Sequence, residues 1–163
     1  MAKYDEKDPK SIEAYAKQLI GKTLRDIITK ETSASLNKVK YTINKGGFGQ
    51  ALEKYYFHIH PGNRPEPDFK EAKVELKSSP LKETRKGLAS KERLVLNIIN
   101  YIDIAKESWK KSSFLKKNSL LLLIFYLHKR AEMMIDYIIK LANLWECSPE
   151  DLAIIKADWL KIQ

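Results

Sequence analysis

Pro65-Glu66-Pro67-Asp68-Phe69-Lys70-Glu71-Ala72-Lys73-Val74-Glu75-Leu76-Lys77 is the stretch on which the reading of this chain turns. A stiff Pro-x-Pro lead-in delivers one acid, Asp68. A short turn follows, and then Val-Glu-Leu-Lys. Successive side chains of a β-strand point to opposite faces, so Val74 and Leu76 go to the core while Glu75 and Lys77 share the other face. A hairpin-like return ahead of Val74 brings Asp68 beside Glu75. Two carboxylates and one ammonium then meet at one point. Two nearby carboxylates form a hard oxygen site of the kind Mg²⁺ uses together with waters and phosphate oxygens. A cation held there polarises a phosphate and makes hydroxide available near neutral pH. Lys77 is placed to orient the attacking water and to offset charge building on the phosphate. Glu-x-Lys is also an ordinary pattern of solvated strands, so the pair alone does not separate the two readings.

Working outward, 163 residues suffice for one domain with a proper core, and 44% hydrophobic content marks a globular chain. Thirty Lys and Arg against 21 acids leave a formal charge of +9, which suits a polyanionic partner as well as a generic lysine-rich surface. One cysteine, Cys147, excludes an internal disulfide and a cysteine zinc cluster, and it fits a reducing, cytoplasmic setting. The charged start Met1 to Lys7 does not read as a signal peptide, and none is expected. The longest apolar run, Leu120 to Leu127, is too short to span a bilayer and reads as a buried strand, so no membrane role is expected.

On the N-terminal side, Ser11 is the expected cap of a helix carrying Ile12, Tyr15, Ala16 and Leu19, with Gly21 as its stop. Thr23 caps a second helix with Leu24, Ile27 and Ile28, and residues 31–45 read as a polar loop. The turn at Asn44-Lys45-Gly46-Gly47 leads into a helix over residues 48–57 with Glu53 in its middle, which by itself reads as a surface carboxylate paired with Lys54 or Lys45. His58-Ile59-His60 would share a strand face, but a zinc ion needs more ligands than this pair supplies.

On the C-terminal side, Ser78-Ser79-Pro80 is expected to end the strand, and residues 82–91 to form a basic loop. Leu94 to Ile99 reads as a central strand and Leu120 to Leu127 as a second one. Between them, residues 102–118 interleave Trp109 and Phe114 with Lys110, Lys111, Lys116, Lys117 and hydroxyls, which suits phosphate contacts or a solvated connector equally. Residues 131–146 fit helix or strand. Ser148-Pro149-Glu150-Asp151 opens a final helix running through Ile154, Ile155 and Trp159. The class is α+β: helices, then a sheet of about four to five strands, then a helix.

Taken together, these motifs resemble the MutH family, the methyl-directed nicking endonucleases of mismatch repair and their GATC-cutting type II restriction relatives. The likeness rests on Lys45-Gly46-Gly47-Phe48-Gly49 leading to Glu53 and on Asp68 with Val74-Glu75-Leu76-Lys77-Ser78-Ser79-Pro80. Lys91 to Tyr101 and Ser112 to Asn118 resemble the restriction branch more than the repair branch. The resemblance implies a PD-(D/E)xK nuclease fold, Mg²⁺ (with Mn²⁺ as a substitute) and hydrolysis of double-stranded DNA. It implies Asp68 and Glu75 as metal ligands, Lys77 as the catalytic lysine, Glu53 as a further acid of the site, and Lys45, Lys116 and Lys117 as DNA contacts, with Lys45 and Lys117 at positions near the DNA backbone or the active site. It tips residues 133–146 toward a strand. The family's domain continues past the point matching Asp158-Trp159-Leu160 into a lobe that grips DNA. The chain is therefore expected to be a single catalytic domain over residues 1–163, shortened at its C-terminus, pairing on DNA or with a further C-terminal domain. Two other outcomes compete with the restriction reading: a mismatch-repair nicking enzyme, and a non-catalytic DNA-binding domain that keeps the fold.

Overall fold

A computed structural model describes residues 3–31, 43, 47–60, 62 and 64–163. Its centre is a mixed four-stranded sheet in the order β2-β1-β3-β4, built from β1 (Glu75–Thr84), β2 (Gly87–Ser90), β3 (Leu121–Leu127) and β4 (Ile139–Trp145). β1 runs parallel to β3, with Glu75 opposite Leu121 and Lys77 opposite Leu123. β2 and β4 are antiparallel to their neighbours. The expected α+β class is what is found. β3 is apolar from end to end because it lies between two strands and is covered on both faces.

Helix α1 (Pro9–Lys17) lies against β4, and α2 (Leu24–Glu31) packs on the turns at residues 53–57 and 134–136. Asp8, rather than Ser11, caps α1: its carboxylate accepts from the Lys10 N–H at 3.0 Å, and Pro9 occupies the first turn, where it has no N–H to waste. Ile12, Tyr15 and Ala16 form the buried stripe. α1 ends before Gly21, whose φ of +82° turns the chain so that its N–H donates to the Ile139 carbonyl at 2.9 Å. Thr23 caps α2 through a reciprocal exchange with Asp26: the Asp26 N–H donates to the threonine hydroxyl, and the Thr23 N–H donates to the carboxylate.

Helix α3 spans residues 47–52 and runs into a π turn, Glu53–Phe57. Tyr15, Tyr56, Tyr4, Phe57 and Phe69 stack and edge together at centroid distances of 4.3 to 6.2 Å, binding α1, α3 and the turn after Asp68 into one body. Phe48 stacks on Tyr126 of β3 at 4.0 Å.

Five expectations are corrected. The strand does not stop at Ser78-Ser79-Pro80 but continues to Thr84. Pro80 turns its carbonyl toward the β2 side, accepting from the Lys91 N–H, so its missing N–H also falls on that side and the β3 ladder is intact. Residues 82–91 are consequently not a loop: they complete a hairpin, β1 turning into β2. Leu94 to Ile99 is not a strand. It is irregular, with Ile98 85% and Val95 66% exposed, and its inner side chains line a cavity of about 370 Å³ with Phe114, Ile155 and Trp159. A short apolar run has the same appearance whether it packs in a sheet or against a helix. Here the partner is α6 (Pro149–Ile162), which is capped by Ser148 and docks its Trp159 5.7 Å from Trp109. Between these pieces lie α4 (Tyr101–Ile104) and α5 (Ser113–Asn118). Of residues 131–146, only the end forms a strand, β4. His58-Ile59-His60 is not a strand either. Among the described residues no helix is long and apolar enough to cross a membrane. The expected loop at 31–45 falls almost wholly outside the described residues.

Candidate active site

The turn that precedes β1 makes the site. Phe69 and Val74 form an isolated antiparallel bridge, with both N–H···O bonds made at 2.9 and 3.2 Å. The next pair outward from that bridge is Asp68 and Glu75. The Asp68 N–H donates to Glu75 Oε2 at 3.2 Å, and the Leu76 N–H donates to Asp68 Oδ2 at 2.9 Å. Lys73 closes the turn in the left-handed region, at φ +56°. The hairpin-like return expected from the sequence therefore exists, and it sets the two carboxylates side by side.

Two ammonium groups complete the cluster. Lys77 Nζ lies 3.1 Å from Glu75 Oε1, and Lys117 Nζ lies 3.4 Å from the same oxygen. Lys117 also donates to the Arg64 carbonyl at 2.9 Å, which fixes its direction. Glu75 is 3% exposed, so these bonds take the place of its hydration. Lys117 is carried by α5, whose N-cap Ser112 is fully buried and accepts from the Leu115 N–H.

Glu53 comes from a separate element and lies within electrostatic reach of Glu75, Lys77 and Lys117. The π turn brings the His58 and Ile59 N–H groups onto the Glu53 carbonyl, and His58 leaves it at φ +58°. Single π turns inside helices re-aim side chains and occur often at functional sites. Gly49, one turn earlier, lets the helix lie close on β1: a Cβ there would sit 3.0 Å from Ser78 Oγ.

The electrostatics carry the mark of crowded acids. Burial, then the Glu75 carboxylate, then Glu53 push the Asp68 carboxyl up to about 7, while the Leu76 N–H pulls the other way. Glu53 is also raised, by burial and then by Glu75, with Lys77 and Lys117 opposing. Acids that give up protons reluctantly to solvent give them up to a bound cation. Among the described residues no group of three or more His, Cys, Asp and Glu is gathered closely enough to hold a metal alone. Asp68 and Glu75 offer two hard oxygen donors. That is the usual protein share for Mg²⁺, which takes its remaining ligands from water and phosphate, so the donor set fits such an ion.

The sequence-predicted residues thus divide. Asp68, Glu75 and Lys77 converge, and Glu53 lies within electrostatic reach of them. Lys117, expected near the DNA backbone or the active site, joins the cluster through Glu75. Lys116 points elsewhere: it is exposed and 3.8 Å from Glu66. Neighbouring residues on a helix lie about 100° apart, so only one of this pair could face the site, a phase that α5 fixes and the doublet alone does not. Lys45 lies outside the described residues.

This mixed sheet with flanking helices, with acids and lysines gathered at the start of β1, is the α+β architecture of restriction-endonuclease-like proteins. The family model for the DNA mismatch repair enzyme MutH matches residues 57–158, and the chain belongs to that family. It is 39% identical over 147 residues to the type II restriction enzyme Sau3AI of Staphylococcus aureus, covering 88% of this chain and 28% of that protein. It is 32% identical over 116 residues to the DNA mismatch repair protein MutH of Vibrio cholerae, covering 71% and 51%. The corresponding protein of Shewanella woodyi is 31% identical over 119 residues, covering 73% and 50%. The chain thus spans about half the length of the MutH relatives and little more than a quarter of Sau3AI.

Proposed function

We propose that this chain is the single catalytic domain of a Mg²⁺-dependent, sequence-specific endonuclease of double-stranded DNA, of the type II restriction kind and directed to GATC. The observation that carries the reading is the convergence of Asp68, Lys77 and Lys117 on Glu75. Asp68 and Glu75 hold the cation, and Mn²⁺ has the same ligand preference for carboxylate and water. When bound, the ion polarises the scissile phosphate and lowers the pKa of a water. The side chains do the rest. Lys77 orients the attacking water. Lys117, anchored on the Arg64 carbonyl, offsets charge as it builds on the phosphate. Glu53, whose carboxyl is raised by its surroundings, faces the same space and is suited to exchange a proton with water. Pairing on DNA, or with a further domain, supplies the rest of the grip.

The restriction reading is favoured by the higher identity to Sau3AI over more of the chain. The MutH likeness favours a second reading, a mismatch-repair nicking enzyme. Supercoiled plasmid carrying GATC sites, incubated with the chain and Mg²⁺, separates them. Linear product supports restriction-type cleavage, open circles support nicking, and intact plasmid in Mg²⁺ and in Mn²⁺ leaves only a DNA-binding domain with a nuclease fold.

A further inference from the structure

Beside the acid cluster lies a groove of about 620 Å³ lined by Lys70, Lys73, Lys110, Lys111 and Lys116, with Glu66 as its one carboxylate. Two places connect it to the site. Pro67, on its wall, immediately precedes Asp68, and Lys116 immediately precedes Lys117. Glu66 is shared between Lys70, at 3.9 Å, and Lys116, at 3.8 Å. Lys73, Lys110 and Lys111 have no ion-pair partner among the described residues, and all three are exposed. Five lysines against a single carboxylate in one concavity repel one another, an arrangement that favours a polyanion in the groove.

Lys73 adds an observation of a different kind. It closes the Asp68–Glu75 turn at φ +56°, where glycine is free of strain and a long side chain is not. A strained residue kept beside a functional centre points to a use for its side chain.

We propose that this groove takes the sugar-phosphate backbone of the substrate DNA next to the scissile phosphate, with Lys73, Lys110 and Lys111 as its contacts. The inference rests on the nuclease reading and extends it to the flanking phosphates. A DNA strand presents a charge every ~3.4 Å of axis, so a lysine-lined concavity beside the cleavage point meets the phosphates that follow it. Such contacts set register and carry no sequence information.

The test is the salt dependence of binding of the full chain to a short GATC-containing duplex, in EDTA so that nothing is cut. The triple variant Lys73→Gly, Lys110→Ala, Lys111→Ala is compared with wild type and with a charge-matched control, Lys22→Ala, Arg130→Ala, Lys140→Ala. Each lost phosphate contact removes ~0.9 from the slope of log K against log salt, so the groove variant is expected to be shallower by roughly 2–3 and the control unchanged. Lys73→Gly alone is expected to weaken binding while leaving the melting temperature equal or higher. A purely structural lysine would not behave in that way. An unchanged slope in the groove variant, or an equal loss in the control, overturns the groove while leaving the nuclease reading intact. Absence of salt-dependent binding by the wild type overturns both.

Discussion

Asp68 is the residue whose chemistry the surroundings alter most. Its carboxyl is held up to about 7 against an ordinary 3.8, chiefly by burial and by Glu75. A folded-state value above the unfolded one means that the native protein binds the proton more tightly. The resulting stability is present at low pH and is lost as pH rises from 3.8 to about 7. Metal-free protein should therefore melt at progressively lower temperature across that window. Asp68→Asn should flatten the decline and raise stability at pH 8 by about 1–2 kcal/mol while removing cleavage. Calorimetric melts in EDTA at several pH values check it, and a decline of equal steepness in Asp68→Asn would count against the crowded-acid account. The lysine doublet offers a second contrast. Lys117→Ala removes a cation bonded to Glu75 and should slow cleavage by ~10²–10³, whereas Lys116→Ala, at an exposed position, should change the chemical step little. Comparable single-turnover losses in both would mean that the doublet acts only in binding.

At the scale of elements, the site depends on how closely α3 lies on β1. Adding a methyl at Gly49 brings it 3.0 Å from Ser78 Oγ, and Gly49→Ala should destabilise the fold by about 1–3 kcal/mol and displace Glu53. Gly49→Ala with Ser78→Ala should recover part of that loss, and strictly additive effects in the cycle would refute the contact. This contact was not legible in the sequence: Gly49 falls within the helix expected over residues 48–57, but nothing local says which strand that helix will lie against. What the sequence does carry well is the Asp68–Lys77 return. Strand alternation pairs Glu75 with Lys77, and the turn chemistry before Val74 folds Asp68 back to them. β3 was legible too, since an unbroken apolar run bounded by polar residues suits a strand covered on both faces. Leu94 to Ile99 has the same signature and failed, because nothing local says whether a sheet or α6 will cover it. Pro80 misled for a related reason: whether a proline stops a strand depends on the side to which its absent N–H would point, and that is settled by neighbours distant in sequence.

At the scale of the molecule, the aromatic cluster ties the turn bearing Asp68 to α1 and α3, while α5 brings Lys117 across the sheet to Glu75. The site is thus assembled from three separate stretches of chain held by one core. The family was legible because Asp68, Glu75 and Lys77 keep short local spacings; the resemblance put Lys117 near the DNA backbone or the active site without separating the two, because it joins the others only through the crossover between β1 and β3. The central claim is that these groups act together on a phosphodiester. The most direct measurement is the single-turnover rate of GATC-plasmid cleavage in Mg²⁺ by the full chain and by Glu75→Ala, a variant whose folding is verified by its melting curve. On the proposed assignment, loss of the carboxylate to which both lysines are bonded should lower the rate by ~10³ or more while duplex binding in EDTA persists. Equal rates for the folded variant and the wild type would contradict the assignment.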